Sequence, residues 1–440
     1  MTNAINIREL VLEILMQVTK EGEYSHLVIR SVLEKYQYLE KQERAFLTRV
    51  SEGTLEHMIE LDYIINQFSK VKVNKMKPVI RNIMRMSVYQ LKYMDSVPAS
   101  AACNEAVKLA KRKGFSSLSG FVNGVLRNIA RNLDQITYPK EEEDPVQFLS
   151  VCYSMPEWIV TKWIRDYGME QTKETLSAFL TDAPIMIRTN CTKISPAALE
   201  ERLKSEHVTV KKVTLEDAKE LDYAFLISDF DYLNALPSFQ EGLFYVQDIS
   251  SMMVAEYADP KEGDVVVDVC AAPGGKSIHI AEKLNGTGMV FARDLTEYKV
   301  SLIEENIVRH QLANIKAQQQ DALVLDESMV GKADIVVADL PCSGLGVMRK
   351  KTDIKYKMDE AKQKDLEKLQ REMLAVVQKY VRAGGTLLYS TCTINRGENE
   401  ENAAWFLKEY PEFELVKSKQ FFPKKEYGDG FFLAKFIRKK

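Results

Sequence analysis

From Leu243 onward the chain alternates β-rich runs with helical stretches, and this alternation limits the fold more than any other feature. VVVDVC (265–270), GMVFARD (288–294), ADIVVADLP (333–341) and GGTLLYSTC (384–392) are the β-rich runs. SIHIAEKL (277–284), KVSLIEENIVRH (299–310) and DLEKLQREMLAVVQKYV (365–381) lie between them with helical character. Strands alternating with helices predict a doubly wound, mostly parallel sheet. Ligands of such sheets sit beyond the carboxyl ends of the strands. Every chemically suggestive motif in this part of the chain falls at such an end, so the motifs read as one site.

The first run ends in Asp268-Val269-Cys270-Ala271-Ala272-Pro273-Gly274-Gly275-Lys276-Ser277. Small residues and two glycines let a backbone approach a ligand closely before a helix begins. The spacing is neither GxGxxG nor that of a phosphate-binding Walker loop. A lone Gly-Gly pair is an ordinary tight turn, so the turn gains meaning only from its neighbours. Asp294 ends the second run, 26 residues after Asp268. In nucleoside-binding sheets an acid about 20 residues on accepts ribose hydroxyls. Asp321, near the end of a third strand, is placed to accept from an adenine amino group. Singly, each aspartate reads as a cap or turn residue; at successive strand ends they point to a nucleoside ligand.

Asp339-Leu340-Pro341-Cys342-Ser343-Gly344 ends one further run and Ser390-Thr391-Cys392-Thr393 another. A cytosine ring is not nucleophilic at carbon 5. Thiolate addition to carbon 6 makes carbon 5 enamine-like, able to take a methyl group from a sulfonium donor; a base then removes the carbon 5 proton and the thiol departs. Cysteine suits both attack and departure. An acid such as Asp339 can hydrogen-bond the pyrimidine edge, and a lysine such as Lys276 lowers the pKa of a thiol beside it.

The preceding 240 residues have another character. Residues 4–132 read as all-helical: Ile7, Val11, Ile14 and Val18 follow the helical period, Pro78 suits the first turn of a helix over 79–93, and Gly114 is expected to stop a helix over 100–113. The acidic, proline-flanked TYPKEEEDP (137–145) reads as a linker. Beyond it, helices over 156–168 and 195–206 and strands over 184–190, 207–215 and 223–228 predict a small α+β unit. The net charge of −3 conceals an asymmetry: residues 70–131 carry thirteen Lys and Arg against Asp95 and Glu105, a net of +11. A basic module on an acidic body suits a polyanion, although a solvated helical face explains such charge about equally well. Lys108, Lys111, Arg112, Lys113, Arg127, Arg131 and, farther on, Arg349 are the candidate RNA contacts.

The six cysteines show no CxxC spacing, so no metal is expected. No stretch approaches the ~20 apolar residues of a membrane span. The N-terminus carries Arg8, Glu9 and Glu13 on an amphipathic pattern unlike a signal peptide. A cytoplasmic protein with no membrane contact and no obligatory protein partner, a monomer, is the expectation.

DVCAAPGGKS, DLPCSG and YSTCT, in this order, resemble the RNA cytosine-C5 methyltransferase superfamily. QDISSM (247–252), GVMRKKTDIKY (346–356), LQREML (369–374) and DGFFLAKF (429–436) extend the likeness. The helical part, with YQL (89–91) and FVNGVLR (121–127), is similar to the antiterminator-like (NusB-like) RNA-binding domain of the bacterial 16S rRNA methyltransferases of the RsmB/Sun type. The resemblance implies Cys392 as nucleophile, Cys342 as the thiol assisting product release, and Asp339 as the base-contacting acid. It also implies that Cys270–Lys276, Asp294, Asp321 and Asp339 hold S-adenosylmethionine, released as S-adenosylhomocysteine. The implied substrate is 16S rRNA, naked or partly assembled, at cytosine 967. Three departures from the usual pattern fall at four positions: Thr352 and Tyr356 stand where Pro and Trp are usual, Leu345 where Thr is frequent, and Arg293 where a small or apolar residue is common.

The expected architecture is thus multidomain: an all-α RNA-binding domain over 1–140, a linker and small α+β intermediate domain over 141–240, and a Rossmann-like α/β methyltransferase domain over 241–440. Three other readings stay open: a DNA-type cytosine methyltransferase attacking through Cys342, the same chemistry on tRNA or another RNA, and a non-catalytic RNA-binding or antitermination factor.

Overall fold

The computed structural model describes residues 6–182, 185–213, 221–425 and 428–439. Residues 4 and 5, Pro184, and Thr214 and Leu215, assigned above to helix or strand, lie outside these. The chain forms two compact units, residues 1–180 with Met348–Lys357, and residues 181–347 with 358–440.

The first unit is helical. Ile7–Met16, Ser25–Lys35, Lys41–Glu56, Met58–Phe68, Pro78–Tyr93, Ala99–Arg112 and Ser119–Arg131 surround one core, and Pro145–Cys152, Glu157–Tyr167 and Met169–Phe179 complete the unit. Val11, Ile14, Ile83, Met84 and Leu126 are buried, as the helical spacing predicts, each contributing roughly 1.5–3 kcal/mol. Pro78 opens its helix at the first turn, and Gly114 takes the left-handed φ of +85° that ends the preceding one. At Gly53 an added Cβ would lie 2.0 Å from the Tyr89 ring, so glycine sets the approach of those two helices. Buried Glu60 accepts hydrogen bonds from Lys92, Tyr93 and Tyr138. Burial opposes its charge, but His57, Lys92 and Tyr93 outweigh it and hold its pKa down at about 2.

Met348–Lys357, from the far half of the sequence, is tied into this unit by its own polar groups. Asp353 accepts from the Ser25 amide at 3.2 Å and hydroxyl at 2.5 Å. Arg349 donates to the Ala178 carbonyl at 2.6 and 2.8 Å, and Lys355 to the Glu56 carbonyl at 2.9 Å.

The second unit contains two sheets. The smaller is antiparallel, built from β1 (Ile185–Thr189), β2 (Thr209–Lys212), β3 (Ala224–Ser228) and β4 (Phe244–Val246) in the order β2-β3-β1-β4. The helix Pro196–Ser205, capped by Ser195, belongs with it. The larger has seven strands: β5 (Val265–Asp268), β6 (Met289–Asp294), β7 (Ile315–Gln319), β8 (Ala333–Asp339), β9 (Val381–Thr391), β10 (Phe413–Phe421) and β11 (Phe431–Arg438), in the order β10-β11-β9-β8-β5-β6-β7. Pairing is parallel from β7 through β9, and β11 and β10 are added antiparallel. β5 and β8 read as continuous apolar runs because helices cover both faces of a parallel sheet. Strand order reverses direction between β5 and β8, which opens a crevice at their carboxyl ends.

Candidate active site

The turn after β5 is a backbone cradle. The Gly274 amide donates to Ala271 O at 2.7 Å, and the Ala271 amide to Arg293 O at 2.8 Å. Gly274 sits at φ +106°, where a side chain is strained, and an added Cβ on Gly275 would lie 2.9 Å from the Tyr245 ring. Helix Gly275–Lys283 begins there, so its unpaired amides point toward the crevice. Asp294 is buried and accepts from the Ala272 amide at 3.0 Å, the Leu295 amide at 2.8 Å and Lys299 at 3.0 Å. It thus joins the cradle to the end of β6. Asp321 accepts from the Leu323 amide at 2.9 Å. Leu295 and Leu323, each close in sequence to one of these acids, are exposed apolar side chains. Asp268 is fully buried, and one of its oxygens accepts from Ser277 at 2.5 Å. Burial pushes its pKa up to about 7.

Just past the ends of β8 and β9, Cys342 and Cys392 meet with their sulfurs 3.2 Å apart. That distance is far longer than the ~2.05 Å of a disulfide, and both are free thiols. The contact with Cys392, together with burial, pushes the Cys342 thiol well up. Beside them Asp339 accepts from Lys276 at 2.7 Å and from Ser390 at 2.7 Å. Burial disfavours the Lys276 ammonium, but Asp339 more than compensates, and its pKa is raised. Its direct partner is the carboxylate rather than a thiol.

Sequence reasoning missed the scaffold beneath these groups. Glu398 is buried and accepts from the Ser343 amide at 2.8 Å, the Ser343 hydroxyl at 2.5 Å, Asn395 at 2.9 Å and Gln370 at 3.0 Å. Burial raises its pKa despite these donors. Gln370 also donates to Pro341 O at 2.9 Å, gripping the residue before Cys342. Asn399 accepts from Thr391 Oγ1 at 2.5 Å and donates to Thr393 O at 3.1 Å, holding both neighbours of Cys392. Gly346 donates to Cys392 O at 3.0 Å and accepts from the Gly430 amide at 2.8 Å. The only signal for Glu398 and Asn399 was the polar run NRGENEEN (395–402) directly after the Cys392 strand, which reads alone as a capped helix start.

The residues that depart from the expected pattern are accommodated. Arg293 is buried and pairs with Asp326 at 2.7 Å. Leu345 is buried in its loop, and Thr352 and Tyr356 lie in the segment anchored to the helical unit. Among the candidate RNA contacts, Lys108, Lys111, Arg112, Arg127 and Arg131 are exposed. Lys108 pairs with Glu105, Arg112 with Glu9, and Lys113 with Glu9 and Glu13. Arg349 is engaged with Ala178 as described. Among the described residues no cluster of His, Cys, Asp or Glu is arranged to hold a metal, and no helix is long and apolar enough to cross a membrane.

Comparison with known proteins agrees across the whole chain. Residues 255–437 match the family model "16S rRNA methyltransferase RsmB/F", residues 5–131 the NusB family, and residues 155–225 the ferredoxin-like domain of RsmF/B-like methyltransferases. "Probable ribosomal RNA small subunit methyltransferase B" of Bacillus subtilis (strain 168) is 38% identical over 415 residues, covering 93% of this chain and 90% of that protein. The Synechocystis protein of the same name is 31% identical, covering 98% and 99%. Among solved structures, PH0851 superposes with a TM-score of 0.81 at 24% identity over 99% of each chain. NSun6 from Pyrococcus horikoshii, solved with SFG, gives 0.57 at 24% identity over 65% of this chain and 98% of that one. The chain, a NusB-like helical domain, a ferredoxin-like domain and a Rossmann-like catalytic domain, belongs to the ribosomal RNA small subunit methyltransferase B family and is an S-adenosylmethionine-dependent rRNA methyltransferase.

Proposed function

We propose that this enzyme methylates carbon 5 of a cytosine in 16S rRNA, cytosine 967, through a covalent adduct between Cys392 and carbon 6. The observation that carries the reading is the pair of thiols in contact beside the Lys276–Asp339 pair. One thiol alone serves attack; two in contact serve attack and release.

S-adenosylmethionine supplies an electrophilic methyl group when bound. The residues present fit it. The cradle Cys270–Lys276 is built of small residues that let a ligand approach the backbone, with Gly275 packed against the Tyr245 ring where a Cβ would clash. Asp294 suits a ribose diol, Asp321 an adenine amino group, and Leu295 and Leu323 an adenine face. SFG, an analogue of S-adenosylmethionine, in the NSun6 structure supports the same assignment.

In this reading the Cys392 thiolate adds to carbon 6, and Asp339, steadied by Lys276 and Ser390, hydrogen-bonds the pyrimidine edge as charge develops. Carbon 5 takes the methyl group. A base removes the carbon 5 proton, the ring double bond re-forms, and the carbon–sulfur bond breaks. Cys342, its pKa raised, remains a thiol and hydrogen-bonds the departing sulfur. Residues 1–140 hold the RNA, with exposed Lys111, Arg127 and Arg131 and their paired neighbours Lys108, Arg112 and Lys113 on its basic helices, and Arg349 acting from its anchored segment. Residues 141–240 form the intermediate domain and 241–440 the catalytic one. The enzyme acts as a cytoplasmic monomer on naked or partly assembled RNA, because this chemistry needs an unstacked base.

Bisulfite mapping of rRNA from cells with and without the gene tests the reading. A single protected cytosine at position 967 is expected. Protection in tRNA only, or none in any RNA, would overturn it, the latter in favour of a binding factor.

A further inference from the structure

A cavity of about 330 Å³ opens within the helical unit, with Thr19, Gly22, Arg81, Arg85, Asp353 and Lys357 among its lining residues. This is within the roughly 300–1,000 Å³ of small-ligand sites. Its charged lining side chains are three cations and one acid. One wall is the π-helical turn Gln17–Glu21, closed by Gly22 at φ +85°; such widened turns recur at functional sites.

The cations differ in how they are satisfied. Arg85 is bound by Asp62 through two hydrogen bonds of 2.5 and 2.6 Å. Lys357 pairs with Asp353 at 2.6 Å. Arg81 instead has a buried Nε without a hydrogen-bond partner. Burial and the neighbouring Arg85 hold its guanidinium below the ordinary value, outweighing the attraction of Asp62. A buried donor beside like charge costs stability until an acceptor completes it, and an anion completes both the hydrogen bond and the charge. Guanidinium groups are suited to phosphate, which they grip through paired donors.

We propose that this cavity is a phosphate site for the backbone of the substrate RNA, with Arg81 as its principal ligand. The proposal rests on the reading of the protein as an enzyme of 16S rRNA. Lys357 of the cavity lies in the segment that follows the Cys342 loop in sequence, so phosphate binding here engages the stretch of chain leading out of the active-site loop.

The test uses the full-length protein, protein-free 16S rRNA and inorganic phosphate. Arg81→Gln is expected to weaken RNA binding on the order of tenfold and to make the slope of log affinity against log salt shallower by about one. Arg81→Lys should keep the slope. S-adenosylmethionine affinity should not change, and the melting temperature of Arg81→Gln should be equal or higher, because an unsatisfied charge is removed. Unchanged RNA affinity and slope would overturn the proposal, as would a lowered melting temperature or failure to fold, which makes Arg81 structural. Phosphate that raises the melting temperature of the parent but not of Arg81→Gln, with RNA binding unchanged, assigns the cavity to a free anion and overturns the RNA source. A parent protein that binds no rRNA overturns the functional reading itself, an outcome distinct from failure in the variant alone.

Discussion

Cys342 and Cys392 stand 50 positions apart in sequence, yet their sulfurs are 3.2 Å apart beyond two neighbouring parallel strands. That contact lets the two thiols divide the work. Cys392→Ala is expected to abolish both methyl transfer and covalent trapping on RNA carrying 5-fluorocytosine. Cys342→Ala should still form the adduct and release it slowly, leaving enzyme–RNA complexes visible on denaturing gels. The reverse result would make Cys342 the nucleophile, as in the DNA-type reading.

Asn399 fixes Cys392 from both sides through Thr391 and Thr393. Asn399→Ala should lower kcat by up to about 100-fold, the scale for a misplaced catalytic group. S-adenosylmethionine affinity by calorimetry should stay near that of the parent. A loss confined to KM would count against a positioning role.

Gly346 has room for no side chain: an added Cβ would lie 1.8 Å from the Gly430 carbonyl oxygen and 2.8 Å from that of Cys392. Gly346→Ala must shift backbone rather than a flexible side chain. A loss of about 1–3 kcal/mol in urea unfolding is expected, with activity falling further than stability because the Cys392 carbonyl moves. An unfolding midpoint equal to the parent's would refute this.

Asp268 gives stability a pH signature. Its folded pKa, about 7, is raised above the ordinary carboxylate value, so the fold prefers the protonated acid. The contribution is complete below pH about 3.9 and is lost as pH rises through 7. Ligand-free protein should therefore lose stability between about pH 4 and 7 relative to Asp268→Asn and level off above that, measured by urea midpoints at each pH. Parallel curves for the two proteins would rule out this burden at Asp268.

Much of the catalytic half is legible because its signals are local. Apolar runs such as Val265–Val267 and Ile335–Ala338 make strands buried on both faces, and small residues after Asp268 make a turn that admits a ligand. The ends of such runs place Asp268, Asp294, Asp339 and Cys392 together at the carboxyl ends of one sheet's strands. Motif order then carries the family.

Other features depend on the fold's long-range arrangement. A strand–helix pattern does not specify that β11 and β10 join antiparallel beside β9, which brings Gly430 against Gly346. Nothing in NRGENEEN distinguishes a helix cap from the buried acceptor and the clamp that Glu398 and Asn399 become. Nor does charge counting separate Arg85, neutralised by Asp62, from Arg81, whose Nε has no acceptor. By itself the sequence determined which residues occupy strand ends, because apolar periodicity and turn chemistry act over neighbouring positions. Only the tertiary structure decided which of them touch, because hydrogen-bond partners and desolvation are set by segments hundreds of residues apart, as with Ser25 and Asp353.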